Sequence, residues 1–142
     1  MVTTTIGRAT LGDLSPHFST REFRCRKNGK PCPYCGGKAD VDDRLIDRLE
    51  SIREFAGLPI QITSGYRCAK RNAELPDSSP NSAHLTGEAA DFFVAGNIDR
   101  FKFIEALVWT ETSRYGVGPD FIHVDVSLTM PQEVAWTYKG KP

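Results

Sequence analysis

The stretch SAHLTGEAAD, residues 82–91, places a histidine and an aspartate on either side of a glycine. His84 belongs to a polar loop, Asp91 to the apolar segment after it, and His123 to a later apolar segment, FIHVDVS. Zinc accepts nitrogen and oxygen ligands, and a catalytic zinc keeps three protein ligands and one position for water. If the two apolar segments are neighbouring strands, the three side chains converge on one ion, and Gly87 lets the loop turn back.

Two further carboxylates flank the third candidate ligand. Asp120 precedes His123 in DFIHVDV, and Asp125 follows it on the same predicted strand face. A structural interpretation stays open for the pair in HLTGEAAD, because such a histidine is more often buried and hydrogen-bonded and such an aspartate more often caps a turn. The remaining histidine, His17, has no partner pattern and is predicted to lie at the surface.

Four cysteines, Cys25, Cys32, Cys35 and Cys68, form a second group of candidate ligands. CPYCGG has the C-x-x-C spacing and the glycines of a zinc knuckle turn. A structural zinc held by all four would tie the N-terminal loop to the SGYR segment and help to orient Arg67. One or two disulfides, or free thiols, are the alternatives.

Hydrophobic periodicity predicts two helices that would support these residues. Residues 41–57 form one, with Gly57 and Pro59 ending it, and residues 97–114 form the other. The apolar stripe of the first consists of Val41, Leu45, Ile46, Leu49, Ile52 and Phe55. The apolar stripe of the second consists of Phe101, Ile104, Leu107 and Val108.

Strands are predicted at residues 59–67, 89–96, 121–127 and 133–140, with turns at 115–120. Short helical segments are predicted at 19–25, which has a capping-box pattern, and at 68–75. This order predicts an α+β domain with a small, largely antiparallel sheet packed against helices. All 142 residues are expected to form one domain, with a cysteine-containing N-terminal loop region at about 17–40.

Composition excludes some partners. The chain has 18 basic residues (Lys and Arg) and 18 acidic residues (Asp and Glu). The resulting net charge of zero argues against nucleic acid or an anionic membrane as a partner. No apolar run is long enough to span a bilayer. The N-terminus has no signal-peptide pattern, so we expect synthesis in the cytoplasm.

Three motifs together resemble the M15 family of zinc peptidases, the group of D-alanyl-D-alanine carboxypeptidases and L-alanyl-D-glutamate endopeptidases. They are S-x-H-x-x-G-x-A-x-D at 82–91, the acidic residue separated by two residues from the histidine in DFIHVD, and the preceding SGYR. HFSTREFRC is also similar to phage and bacterial members. The resemblance covers about residues 17–126 and implies the fold shared with hedgehog signalling domains, the hedgehog/DD-peptidase fold.

The resemblance implies roles for individual residues. Asp120 matches the general base, Arg67 the residue that steadies the polarised carbonyl oxygen or the substrate carboxylate, and Ser82 the serine that hydrogen-bonds the bound peptide. The three zinc ligands of the family match His84, Asp91 and His123. A surface arginine and a turn-capping serine are the structural alternatives for Arg67 and Ser82.

The base assignment leaves alternatives open. Asp120 is one methylene shorter than the glutamate of many members, so the strand lies closer to the metal, a water bridges, or the base is elsewhere. Glu88 is the other nearby acid and is predicted to face solvent. Asp125 is the candidate to orient a histidine ring, with a solvent-exposed strand end as its alternative.

Aromatic residues near the motifs are candidates for a substrate cleft, although most aromatics of this kind pack in cores. The core interpretation is kept for Tyr66, Trp109 and Trp136. Tyr115 is predicted to contact substrate, because it precedes the strand that carries His123.

The implied function is hydrolysis of a peptide bond in the stem peptides of bacterial peptidoglycan, with D-Ala-D-Ala peptides as the other substrate class. Zn²⁺ is the expected cofactor, one ion catalytic and a second structural one if the cysteines bind metal. We expect a monomer with the cell wall as its target, in phage or prophage lysis. The rival hypothesis is a non-catalytic, zinc-dependent binding domain of the hedgehog fold, which would have no need of a base beside the ion.

Overall fold

A computed structural model describes residues 12–76 and 78–138. Its helices are α1 (Asp43–Ala56), α2 (Ala69–Ala73) and α3 (Asn97–Trp109). Its strands are β1 (Arg26–Lys27), β2 (Lys30–Pro31), β3 (Ile62–Ser64), β4 (Ala89–Phe93), β5 (Arg114–Val117), β6 (Phe121–Asp125) and β7 (Val134–Thr137). Strands β1 and β2 form a small hairpin, and the other five form one sheet in the order β3-β4-β6-β5-β7. All neighbours in that sheet are antiparallel except β5 and β7.

The hydrophobic core lies between one face of the sheet and the helices. In the β4–β6 pair, Ala90 lies opposite Val124 and Phe92 opposite Ile122, and all four side chains are buried. Helix α1 begins at an Asp42 cap and contributes most of its predicted stripe to this core, but the predicted Phe55 is 47% exposed and stacks on Trp109 instead. The α+β class and the largely antiparallel sheet are therefore confirmed. The likeness to the hedgehog/DD-peptidase fold stays a prediction.

The buried face of α3 differs from the predicted one. Of the predicted stripe, Leu107 enters the core, but Phe101 and Val108 are 68% and 58% exposed, and Phe103 and Ala106 are buried in their place. This helix is apolar around most of its circumference, so the pattern alone did not select a face. Helix α3 also ends at Trp109, and residues 114–117, predicted as a helix end and a turn, form β5 instead. In the described part of the chain, no helix has the length and apolarity to cross a membrane.

The N-terminal segment is fastened to α1 by a small polar cluster. Glu50 accepts hydrogen bonds from the Ser15 hydroxyl, at 2.6 Å, and from the His17 backbone N–H, at 2.9 Å. Nδ1 of His17 lies 2.7 Å from the other Glu50 oxygen. His17 is exposed, as predicted, but it has a carboxylate partner that its sequence neighbours do not indicate.

Glu50→Gln is expected to lower the free energy of unfolding by about 1 kcal/mol at neutral pH, because an amide forms weaker hydrogen bonds than a carboxylate. Burial on its own raises the pKa of Glu50, but hydrogen bonds from Ser15 and His17 outweigh it and lower the pKa. Such a carboxyl stabilises the fold above its unfolded pKa and loses that effect as pH falls through its folded pKa. Urea titrations at neutral and acidic pH check whether the difference disappears in acid.

Glu54→Gln provides the control, because Glu54 is an exposed residue of the same helix. It should leave stability unchanged at both pH values. Equal stability of Glu50→Gln and wild type at neutral pH would contradict the assignment.

Candidate active site

Three side chains converge on the face of the sheet opposite the helices. Asp91 in β4 lies directly across from His123 in β6, and a 3₁₀ turn over Ala83–Thr86 brings His84 to them. One ligand atom from each residue lies within 4.8 Å of the others. The same Asp91 oxygen is 2.8 Å from Nδ1 of His123 and 3.4 Å from Nε2 of His84. Sequence spacing predicted this convergence.

His84 is held in one ring orientation by its own turn. The Ser82 hydroxyl accepts the backbone N–H of His84, and Gly87 ends the turn in a left-handed conformation, with φ of 74°. Nδ1 of His84 lies 2.7 Å from the Gly65 carbonyl oxygen. A carbonyl only accepts, so Nδ1 carries the proton and Nε2 keeps its lone pair. That Nε2 is buried and has no hydrogen-bond partner among the described residues.

His123 is oriented by carboxylates on both sides. Its Nδ1 faces Asp91 at 2.8 Å, and its Nε2 faces Asp125 at 2.8 Å. Asp125 is in turn held by Nε of Arg114 at 2.7 Å, and both residues are buried. A hydrogen bond from the far nitrogen to a carboxylate is the usual arrangement of metal-binding histidines. Asp125 therefore lies where the sequence analysis predicted a ring-orienting residue.

The charges of the cluster support one another. Burial on its own raises the pKa of Asp91, but the charges and hydrogen bonds of the two histidines outweigh it and hold the pKa far below its ordinary value. Burial also acts to lower the pKa of His123, but hydrogen bonds with Asp125 and Asp91 raise it to about 9. Burial lowers the pKa of His84. The partly exposed Asp91 carboxylate and the His123 ring thus stabilise each other as an ion pair.

The donor set fits a zinc ion. Two imidazoles and one carboxylate are among the ligand combinations of catalytic zinc sites, which keep a position for water. The buried Nε2 of His84 is the observation that favours a metal, since a buried lone pair without a donor is costly. Loss of the proton on Nδ1 of His123 would provide a second nitrogen lone pair for the metal, beside the Asp91 carboxylate.

Arg67 lies close to this cluster at the end of the β3 segment. Its backbone N–H donates to the His84 carbonyl at 3.1 Å, and its Nη1 donates to Asn72 at 3.2 Å. Its Nε is buried and has no acceptor among the described residues. Burial lowers the pKa of Arg67, an effect that Asp91 opposes, and arginine stays protonated in proteins. The guanidinium therefore has a buried donor free for an oxygen of a ligand.

An aromatic wall forms the side of the site beyond His123. Gly116 of β5 pairs with His123 on one side and with Trp136 of β7 on the other. A Cβ at Gly116 would lie 2.3 Å from Nε1 of Trp136, so only glycine leaves room for this indole. The Trp136 ring lies 5.5 Å from the His123 ring, between centroids. Tyr138 follows, with its ring 4.8 Å from that of Phe121.

Other predicted residues lie away from the three ligands. Asp120 is exposed in the turn between β5 and β6, outside the group of converging ligand atoms. Tyr115 packs against the core on the helix side of the sheet, because it pairs with Val124, so the structure does not bring it to the cluster. Glu88 does not face solvent freely but accepts a hydrogen bond from Arg44 at 2.9 Å.

The four cysteines form a separate cluster. Their sulfur atoms all lie within 4.8 Å of one another, and none is in a disulfide. Cys25 and Cys32 are fully buried, and Cys35 and Cys68 are partly exposed.

Sequence reasoning missed Arg114 as a residue of the site and left Trp136 among core candidates. Arg114 lies at the start of β5, donates to Asp125, and lies 5.2 Å from the Trp136 ring. Recognising β5 as a strand would have predicted the position of Arg114, because alternation along RYGV places Arg114 and Gly116 on one face.

Comparison with known proteins connects this geometry to a family. The family described as Peptidase M15 matches residues 16–125 of the chain. These residues include the three converging side chains, Arg67 and all four cysteines. No curated protein matches the chain.

Asp125→Asn is expected to weaken zinc binding by about tenfold to a hundredfold, the usual effect of removing a carboxylate that orients a ligand histidine. An amide cannot supply the negative charge that now accepts Nε2–H of His123. Competition with a chromophoric chelator measures the affinity, and circular dichroism shows whether the variant is folded. Asp120→Asn, with its exposed carboxylate, should bind zinc like the wild type. Equal affinity of Asp125→Asn and wild type would contradict the orienting role.

Proposed function

This chain belongs to the peptidase M15 family, and we propose that it is a zinc-dependent peptidase that cleaves the stem peptides of bacterial peptidoglycan. The observation that carries the proposal is the buried, unpartnered Nε2 of His84 beside Asp91 and His123. A metal ion gives this atom a partner, whereas a site without a metal leaves a buried lone pair unpaired.

The ion would be held by Nε2 of His84, Nδ1 of His123 and a carboxylate oxygen of Asp91. When bound, zinc lowers the pKa of its water and polarises a carbonyl oxygen. The chain fixes both histidine tautomers before any substrate arrives, because Gly65 accepts from His84 and Asp125 from His123. No reorganisation of these rings is then needed in the reaction.

Arg67 is assigned to the substrate. Its buried Nε–H has no protein acceptor in the described ranges, and it lies on the segment hydrogen-bonded to His84. A fixed, permanently charged donor suits a carbonyl oxygen that gains negative charge, or a substrate carboxylate. Stem peptides offer both groups, which favours them over uncharged peptides.

Asp120 is assigned as the proton acceptor, and Ser82 as a contact of the bound peptide. The match of DFIHVD to the family motif supports this role for Asp120, whose exposed carboxylate would take a proton from water and return it to the leaving amine. Ser82 caps the turn that carries His84, and that cap, the structural alternative, is present. Trp136 and Tyr138 would provide an apolar wall for the peptide.

The proposal is tested by incubating the zinc-loaded protein with purified peptidoglycan and with D-Ala-D-Ala peptides. Released D-alanine reports carboxypeptidase activity, and new amino termini report endopeptidase activity. We expect one of the two products, its loss on chelation, and its return when zinc is added. Absence of both products from every substrate would overturn the proposal in favour of a zinc-dependent binding domain.

Two variants separate the assigned roles. His123→Ala should lose zinc and turnover together. Asp120→Ala should keep zinc and lower kcat by roughly a hundredfold to ten-thousandfold, the usual contribution of a general base. Asp47→Ala, which removes an exposed carboxylate from α1 on the other side of the sheet, is the matched control and should retain wild-type activity. An active Asp120→Ala variant would show that another group accepts the proton.

A further inference from the structure

We propose that the four cysteines bind a second, structural zinc ion in a closed tetrahedral site. The site joins three segments of the chain: Cys25 before the β1–β2 hairpin, the CPYC turn after it, and Cys68 at the start of α2. It is separate from the histidine and aspartate cluster, and its occupancy does not depend on hydrolysis of any substrate.

The spacing of the sulfur atoms fits one zinc ion. Sγ of Cys68 lies 3.9 Å from Sγ of Cys25 and 3.8 Å from Sγ of Cys32. Four thiolates at about 2.3 Å from a central zinc lie about 3.8 Å apart along each tetrahedral edge. A disulfide instead needs sulfurs at about 2.05 Å. The observed separations are therefore those of ligands around a common ion.

The backbone around the cluster has the hydrogen bonds that such a site requires. The backbone N–H of Cys68 donates to Sγ of Cys25 at 3.4 Å, a contact that stabilises a thiolate. The N–H of Gly36 donates to the Cys32 carbonyl at 2.8 Å and closes the CPYC turn. The backbone N–H of Cys32 donates to the Cys25 carbonyl oxygen at 2.9 Å, so the two strands of the hairpin are held together at its base.

Four free thiols gathered in this way need an explanation, because the surrounding structure is small. The hairpin strands contain two residues each, and hairpins of this size are not stable alone. Its loop, Asn28 and Gly29, is polar and contributes nothing to the hydrophobic core. A metal that cross-links the hairpin to α2 supplies the constraint that packing does not, as in other small zinc-bound loops.

The cross-link acts on the segment that carries Arg67. Cys68 is the next residue, and it begins α2, whose Asn72 is buried and accepts from Nη1 of Arg67. Asn72 also donates to the Ser79 carbonyl at 2.9 Å. A zinc held by Cys68 would therefore fix the start of the helix from which Arg67 is oriented, and its role is structural, since four protein ligands leave no position for water.

Cobalt substitution distinguishes the two sites, because thiolate-to-cobalt charge transfer absorbs in the near-ultraviolet and ligation by histidine and carboxylate does not. The full chain is loaded with Co²⁺, and its spectrum and metal content are measured. We expect about two ions per chain and a thiolate band typical of tetrahedral coordination. His84→Ala should lose one ion and keep the band, whereas Cys35→Ser should keep one ion and lose most of the band.

Alkylation of the wild type gives a readout that does not depend on the folding of a variant. The zinc-loaded chain should resist iodoacetamide at its cysteines, and the chelated chain should react. A spectrum without a thiolate band, or cysteines found in disulfides by mass spectrometry, would overturn the proposal. Either result would leave the hydrolysis assays untouched, so failure of this site and failure of the proposed function are distinguishable.

Discussion

The pairing of β4 with β6 is the constraint on which the site depends. Asp91 lies across from His123 only because Phe92 lies across from Ile122 and Ala90 across from Val124 on the other face. A slip of one residue would turn every side chain of a strand to the opposite face. It would expose the core residues and bury a carboxylate against the helices. The hydrophobic core therefore specifies the register that brings the candidate ligands together.

The polar face of the sheet is organised by charge rather than by packing. Arg114, Asp125 and His123 form a buried chain in which each group has a partner of opposite charge. A buried charge without a partner is strongly destabilising, so none of the three can be removed without affecting the others. These ion pairs hold the His123 ring through Nε2 and leave its Nδ1 beside Asp91. Orientation of a ligand and stability of the fold are in this way properties of the same residues.

Much of this arrangement was predictable from local pattern. Helix α1 and the alternation of β6 follow directly from the spacing of apolar residues, and the three converging side chains follow from the motifs that contain them. The predicted buried face of α3 was wrong for Phe101 and Val108 and right for Leu107, because all three are as apolar as the other residues that entered the core. Strand β5 was missed because RYGV contains a glycine and is followed by Gly118 and Pro119, so the pattern favoured a helix end and a turn.

The same missing strand explains the position of Tyr115. Once RYGV is a strand, Gly116 must face the site and Tyr115 must face the helices. Proximity in sequence to the β6 motif indicated the right neighbourhood but not the right side of the sheet. Contacts across a sheet, such as that of Trp136 with His123, have no local signal in the sequence.

Strand β7 contributes to the site from beyond the segment that the family shares. The family match ends at residue 125, whereas Trp136 and Tyr138 belong to the following stretch of chain. Parallel pairing with β5 brings Trp136 to His123, and Trp136 and Tyr138 together fill the space above Gly116. The wall of the cleft and the ligands at its floor are thus encoded in separate parts of the sequence. In the proposed peptidase, exchange of this last strand would change the wall beside the substrate and leave the three candidate ligands in place.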